Sequence, residues 1–182
     1  MQLLASTCGG ARHGTSSRRQ AKRIHKMVSS FAKAARDNNA TLKEHSVYEL
    51  LNVAITEEDL PLIISSEVIP LAVSFSRDGT AYQKERGLQA LERMSRGGTK
   101  AAIVAAGGIR VLLDAAQNGN YAQKKHAARA LFNLSANRYC QTEIKAANGE
   151  HTLKGLAQQG FSAHNSVAAA ALRNLSSSFN PC

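Results

Sequence analysis

The feature that most limits what this chain can become is that it repeats itself. Ala127-Ala128-Arg129-Ala130-Leu131-Phe132-Asn133-Leu134-Ser135 returns 41 residues later as Ala168-Ala169-Ala170-Ala171-Leu172-Arg173-Asn174-Leu175-Ser176. It stands 40 residues earlier as Gly87-Leu88-Gln89-Ala90-Leu91-Glu92-Arg93-Met94-Ser95, and a fainter copy, Ser46 to Ala54, lies 41 before that. The register holds by column: Leu50, Leu91, Leu131, Leu172; then Val53, Met94, Leu134, Leu175; and a small residue at Ser46, Gly87, Ala127, Ala168. Such a period marks a helical solenoid, in which no unit buries its apolar face alone and neighbours must stack. An aromatic content of 5% without tryptophan suits close helix packing better than a sheet sandwich.

Each period divides into three helices. In the central one, residues 100–106 form a short helix with Ile103 inward, and Gly107-Gly108 turns the corner. Residues 109–117 form a second helix, Asn118-Gly119-Asn120 signals a turn, and 122–135 form the long third helix. The spacing predicts the same parts upstream at 59–65, 69–75 and 81–95, and downstream at 141–147, 150–158 and 164–176. Pro70 falls at the start of a middle helix, where a missing N–H does no harm. Ile63, Ile103 and Ile144 keep register across the short helices.

The unit Ile103-Val104-Ala105-Ala106-Gly107-Gly108-Ile109-Arg110-Val111-Leu112-Leu113, closing with Ala130-Leu131-Phe132-Asn133-Leu134, resembles the armadillo repeat. The resemblance covers roughly residues 44–178 as three units and a preceding third helix. It implies an all-α, right-handed superhelical α-solenoid; a HEAT array, of similar period, is the alternative architecture. The expected division is a basic N-terminal arm with an amphipathic helix over 1–40 and an armadillo-like domain over 41–182.

The resemblance also implies where such an array binds. In armadillo proteins that take extended peptides, the third helices line a concave groove and an asparagine near each helix end bonds the ligand backbone. The matching positions are Asn52, Asn133 and Asn174, with Arg93 interrupting the ladder. A carboxamide both donates and accepts, so it satisfies a peptide unit without reading its side chain; the other reading is that it caps local backbone. The tryptophans of the importin-alpha type are replaced by Tyr48, Gln89, Arg129 and Ala170. The face is instead basic, with Arg86, Arg93, Lys125 and Arg129, which suits an acidic segment as in the beta-catenin type of groove.

Charge is unevenly spread. Residues 1–36 hold eight basic side chains and no acid, so they carry +8 of the formal +10. Within them Ile24, Met27, Val28, Phe31 and Ala35 fall on one helical face, with Arg18, Arg19, Lys22, Arg23 and Lys26 among the basic residues around it. Such an arm meets nucleic acid through its phosphates, directs the chain to an organelle such as a mitochondrion or plastid, or threads into an acidic seam of an assembly. At the other end, Val167 to Leu172 carry no charge, which predicts a partner chain or second copy over 166–178, through Val167, Ala170, Ala171 and Leu175.

Three scattered cysteines, Cys8, Cys140 and Cys182, read as free thiols in a reducing intracellular compartment. No run approaches the roughly 18 apolar residues of a membrane span. No histidine pair has metal-ligand spacing, and Gly97-Gly98-Thr99-Lys100 lacks the order of a phosphate loop. No nucleophile–base pair, cofactor motif or metal site is expected. The sequence therefore points to a non-catalytic interaction or structural subunit of a larger intracellular assembly; the alternatives are a ribonucleoprotein component and an adaptor for an acidic extended peptide.

Overall fold

The computed structural model of the chain describes residues 60–159 and 163–177, together with Lys22, His25, Lys26, Ser29, Ser30 and Lys33. Expectations for Asn52 and its columns Ser46, Leu50 and Val53, for Tyr48, for Arg18, Arg19 and Arg23, and for the boundary near residue 40 lie outside the described residues. Among the described residues there is no strand.

Three units of three helices follow in order: α1 (Leu60–Ile64), α2 (Val68–Asp78) and α3 (Ala81–Met94); α4 (Lys100–Ala105), α5 (Gly108–Asn118) and α6 (Tyr121–Ser135); α7 (Arg138–Ala146), α8 (Gly149–Ala157) and α9 (Ala163–Ser176). The long helices start where side chains can hold the first free N–H groups. Thr80 Oγ1 accepts from Gln83 N while Gln83 Oε1 accepts from Thr80 N, and Asn120 and Gln123 repeat the box one unit later.

The corner between short and middle helix asks two different things of its two residues. Gly107 has φ +77, and in the next unit Asn148 takes the same left-handed backbone at φ 59. Gly108 and Gly149 instead have no room for a side chain. A Cβ there would lie 2.8 and 2.7 Å from the carbonyl oxygens of Ile103 and Ile144.

Within each unit the middle helix packs on the long one (α2 on α3, α5 on α6, α8 on α9), and between units like packs beside like. The long helices α3, α6 and α9 thus lie side by side, and α5 and α8 pack together behind them. One continuous core runs through the stack. Leu91, Leu131 and Leu134 are fully buried and Met94 and Leu175 nearly so, as are Ile63, Ile103 and Ile144. Each such side chain contributes about 1.5–3 kcal/mol on leaving water. The small column has a steric reason: a Cβ on Gly87 would stand 2.8 Å from the Ala72 carbonyl oxygen, where α3 crosses α2.

Candidate binding face of the third helices

Between α3 and α6 lies a buried ionic cluster. Glu92 is 3% exposed; its Oε2 accepts from His126 Nδ1 at 2.7 Å and its Oε1 from an Arg96 terminal nitrogen at 2.8 Å. Arg129 lies 3.8 Å from the same Oε1. Burial by itself pushes this carboxyl up. The bonds from His126 and Arg96, with the charges of His126 and Arg129, more than offset it and hold Glu92 below the ordinary carboxylate value. Since an ionised carboxylate only accepts, the imidazole proton toward it sits on Nδ1.

The ladder asparagines are neither free nor local caps. Asn133 Nδ2 donates to Ser95 Oγ at 3.0 Å, and Asn174 Nδ2 to Ser135 Oγ at 2.9 Å, each reaching the long helix of the preceding unit. The two serines donate their own protons backward, Ser95 to the Glu92 carbonyl and Ser135 to the Phe132 carbonyl, both at 2.7 Å. A hydroxyl whose one proton is spent can only accept, so each asparagine must present its NH₂ to it. The carboxamide is thereby oriented, and no described residue donates to either Oδ1. The same pair of bonds shows that the register of α6 on α3 is that of α9 on α6.

Arg86 is half-buried, donates to Gln89 Oε1 at 3.0 Å, and lies 5.0 Å from the Tyr82 ring centroid. Arg93 and Lys125 are half-buried, and Arg129 is exposed. These four cations and the two asparagines therefore sit on adjacent long helices. Of the arm residues, Lys22 and Lys26 are helical and exposed.

The expectation for the last helix needs correction. Ala171 and Leu175 are 0% and 2% exposed, because that side of α9 packs on α6 and α8 of its own chain. They are not available to a partner. Val167 and Ala170 are half-buried, and so are Ala169 and Leu172, which occupy the columns of fully buried Ala128 and Leu131.

Sequence reasoning passed over Glu92, His126 and Phe132. Phe132, at 38% exposed, is with Tyr121 one of two large hydrophobic side chains left open on α6, and it stands next to Asn133 in the chain. Its signal was present in the repeat: Glu92, Phe132 and Arg173 share one column, as do His126 and Val167, and Arg129 and Ala170. The columns that hold Glu92, His126 and Arg129 in one gap hold Phe132, Val167 and Ala170 in the next. Among the described residues no three histidine, cysteine, aspartate or glutamate side chains are grouped to hold a metal ion, and no helix is long and apolar enough to cross a membrane.

Comparison with known proteins places the repeat. The sequence model of the armadillo/beta-catenin-like repeat matches residues 98–136, the unit built from α4, α5 and α6. No curated protein matches the chain in sequence. Among solved structures, the crystal structure of an engineered protein superposes with a TM-score of 0.73 at 22% identity, covering 84% of this chain and 62% of that one. A designed armadillo repeat protein superposes with a TM-score of 0.69 at 19% identity, covering 75% of this chain and 59% of that one. The chain thus spans about three fifths of the structures it resembles, and at these identities the likeness carries the fold.

Proposed function

Since the chain carries an armadillo repeat and folds as an armadillo-type array, and such repeats generally mediate protein–protein interaction, we propose that it is a non-catalytic interaction subunit whose third-helix face receives an extended acidic segment of a partner protein. One observation carries this reading: the carboxamide oxygens of Asn133 and Asn174, to which no described residue donates, belong to long helices that bear cations and no acid. Helices α6 and α9 bear Lys124, Lys125, Arg129 and Arg173 and no acid. On α3, the buried Glu92 is already engaged by His126, Arg96 and Arg129. An extended chain supplies N–H groups to the asparagines, and its carboxylates meet the cations at the rim.

Fluorescence polarisation with a labelled twelve-residue peptide of Asp, Glu and Gly tests it. Binding weakens as salt is raised, because exposed charges are screened within about 10 Å at 0.1 M. Arg129→Glu and Lys125→Glu each weaken it about tenfold, equivalent to about 1.4 kcal/mol. Binding indifferent to both reversals would contradict the reading.

The exposed and helical Lys22, Lys26 and Lys33 support a second contact, with a polyanion or an acidic seam of the same assembly. Pull-down from native lysate with and without nuclease, comparing the intact chain with one lacking residues 1–36, separates nucleic acid from protein at that arm. Loss of all partners on nuclease treatment would favour a ribonucleoprotein role.

A further inference from the structure

Three columns of the long helices are buried in the first two units and uncovered in the third. Leu88 and Ala128, Leu91 and Leu131, and Ser95 and Ser135 are all buried, while the residues that continue those columns on α9 are half-buried Ala169, half-buried Leu172 and exposed Ser176. The inward columns show no such change, since Ala130 and Ala171, and Leu134 and Leu175, stay buried in both units. The loss of cover is therefore confined to the side of α9 that a following unit would occupy, and α6 and α8 pack on its other sides.

That side is half of a joint the chain builds twice. Ser95 and Ser135 each donate to a carbonyl of their own helix and accept from the asparagine of the next unit. Ser176 spends its proton in the same way, on the Arg173 carbonyl at 3.1 Å, and no described residue donates to its oxygen. The charge beside the serine is reversed. In the first joint the forward residue is Glu92, and the residues that meet it from α6, Arg129 and His126, stand four and seven places before Asn133. On α9 the column of Glu92 holds Arg173, which is exposed and has no acid to pair with among the described residues.

We propose that the Ala169–Leu172–Ser176 side of α9 receives an α-helix of a partner protein in the register of the two existing joints. That helix carries an asparagine that donates to Ser176, and a carboxylate four or seven residues before it that meets Arg173. Small or aliphatic residues between them cover Ala169 and Leu172. The inference concerns the end of the stack and does not rest on the acidic-segment reading. Continuity with the two joints assigns the helix and its asparagine; complementarity to Arg173 assigns the sign of its charge. A second copy of this chain fits badly. Its α6 and α9 have their asparagines engaged, and its α3 would bring Arg86 and Arg93, in the columns of His126 and Asn133, against Arg173.

Fluorescence polarisation of labelled, hydrocarbon-stapled helices with the full chain tests it. The probe has the α6 sequence Tyr121–Ser135 with the changes His126→Glu and Arg129→Glu, and the reference helix has that sequence unaltered. The probe is expected to bind at least about tenfold more tightly than the reference, which corresponds to about 1.4 kcal/mol. Ser176→Ala in the chain removes the acceptor and Asn133→Ala in the probe removes the donor; each weakens binding about fivefold, and the two together no more than either alone. Arg173→Glu reverses the preference, so that the reference helix binds better than the probe. Ser176 and Arg173 are exposed, so both variants keep their fold, and Ser176→Ala leaves binding of the peptide of Asp, Glu and Gly unchanged. Equal binding of probe and reference, a preference that Arg173→Glu does not reverse, or no binding of either helix overturns the proposal. Sedimentation of the chain alone as an oligomer that Leu172→Asp disperses would seat a second copy on this side and overturn it as well.

Discussion

At the scale of single residues, the consequences are sharpest where a buried group has one solution. Glu92→Gln leaves His126, Arg96 and Arg129 facing a neutral amide, and we expect it to cost about 1–3 kcal/mol in urea unfolding. The pH dependence follows from the direction of the shift. Glu92 is held below its ordinary value in the folded chain, so its contribution is present in full above about 4.5 and is lost as pH falls through the lower folded value. Burial, and then the charge of Lys124, lower the pKa of His164 from its ordinary 6.5, so protonation of His164 also works against folding as pH falls below about 6.5. The melting temperature should therefore decline in acid in two stages, and Glu92→Gln should flatten the lower one. The Gly-Gly corner gives a second contrast. Gly107→Asn copies Asn148 and should cost little, whereas Gly108→Ala drives a methyl against the Ile103 carbonyl and should cost about 1–3 kcal/mol. Equal losses in the two variants, measured by denaturant titration, would show that the corner is read wrongly.

At the scale of the helix, much was legible because local chemistry and the repeat agree. The long helices begin and end within one residue of where the apolar columns put them, since Thr80 and Asn120 set the starts with side-chain bonds that the sequence displays. Asn120→Ala should remove the start signal of α6 and cost about 1 kcal/mol, with amide exchange rising first in Ala122–Lys124. The departures are α2, which runs on to Asp78 past residue 75, and α7, which begins at Arg138 and not at Gln141. Asn137 caps α7 by accepting from Cys140 N at 3.2 Å, and Arg138, Tyr139 and the buried Cys140 add a first turn ahead of Gln141. The binding face was legible only in part. Periodicity located the asparagines and cations on one set of helices. It could not say that Ser95 and Ser135 orient those asparagines, because partners about 40 residues apart meet only when the units stack. Nor did an uncharged stretch on α9 reveal that its own chain covers Ala171 and Leu175.

At the scale of the whole chain, each unit is stable through its neighbours. Leu131 is fully buried in the middle of the stack, so Leu131→Ala should cost about 2–5 kcal/mol and lower hydrogen-exchange protection in α3 and α9 together with α6. Loss confined to α6 would mean that the units fold independently. The same stacking sets α3, α6 and α9 side by side, and only there do Arg86, Lys125, Arg129, Asn133 and Asn174 belong to one surface. The central claim is that this surface receives the partner. Amide chemical-shift mapping of the full chain, titrated with the acidic twelve-residue peptide of Asp, Glu and Gly, tests it most directly. The account predicts that the largest changes fall at Gln89, Arg129, Phe132, Asn133, Ala170 and Asn174, with α2, α5 and α8 unmoved; changes concentrated on α2, α5 and α8, with the long helices silent, would contradict it.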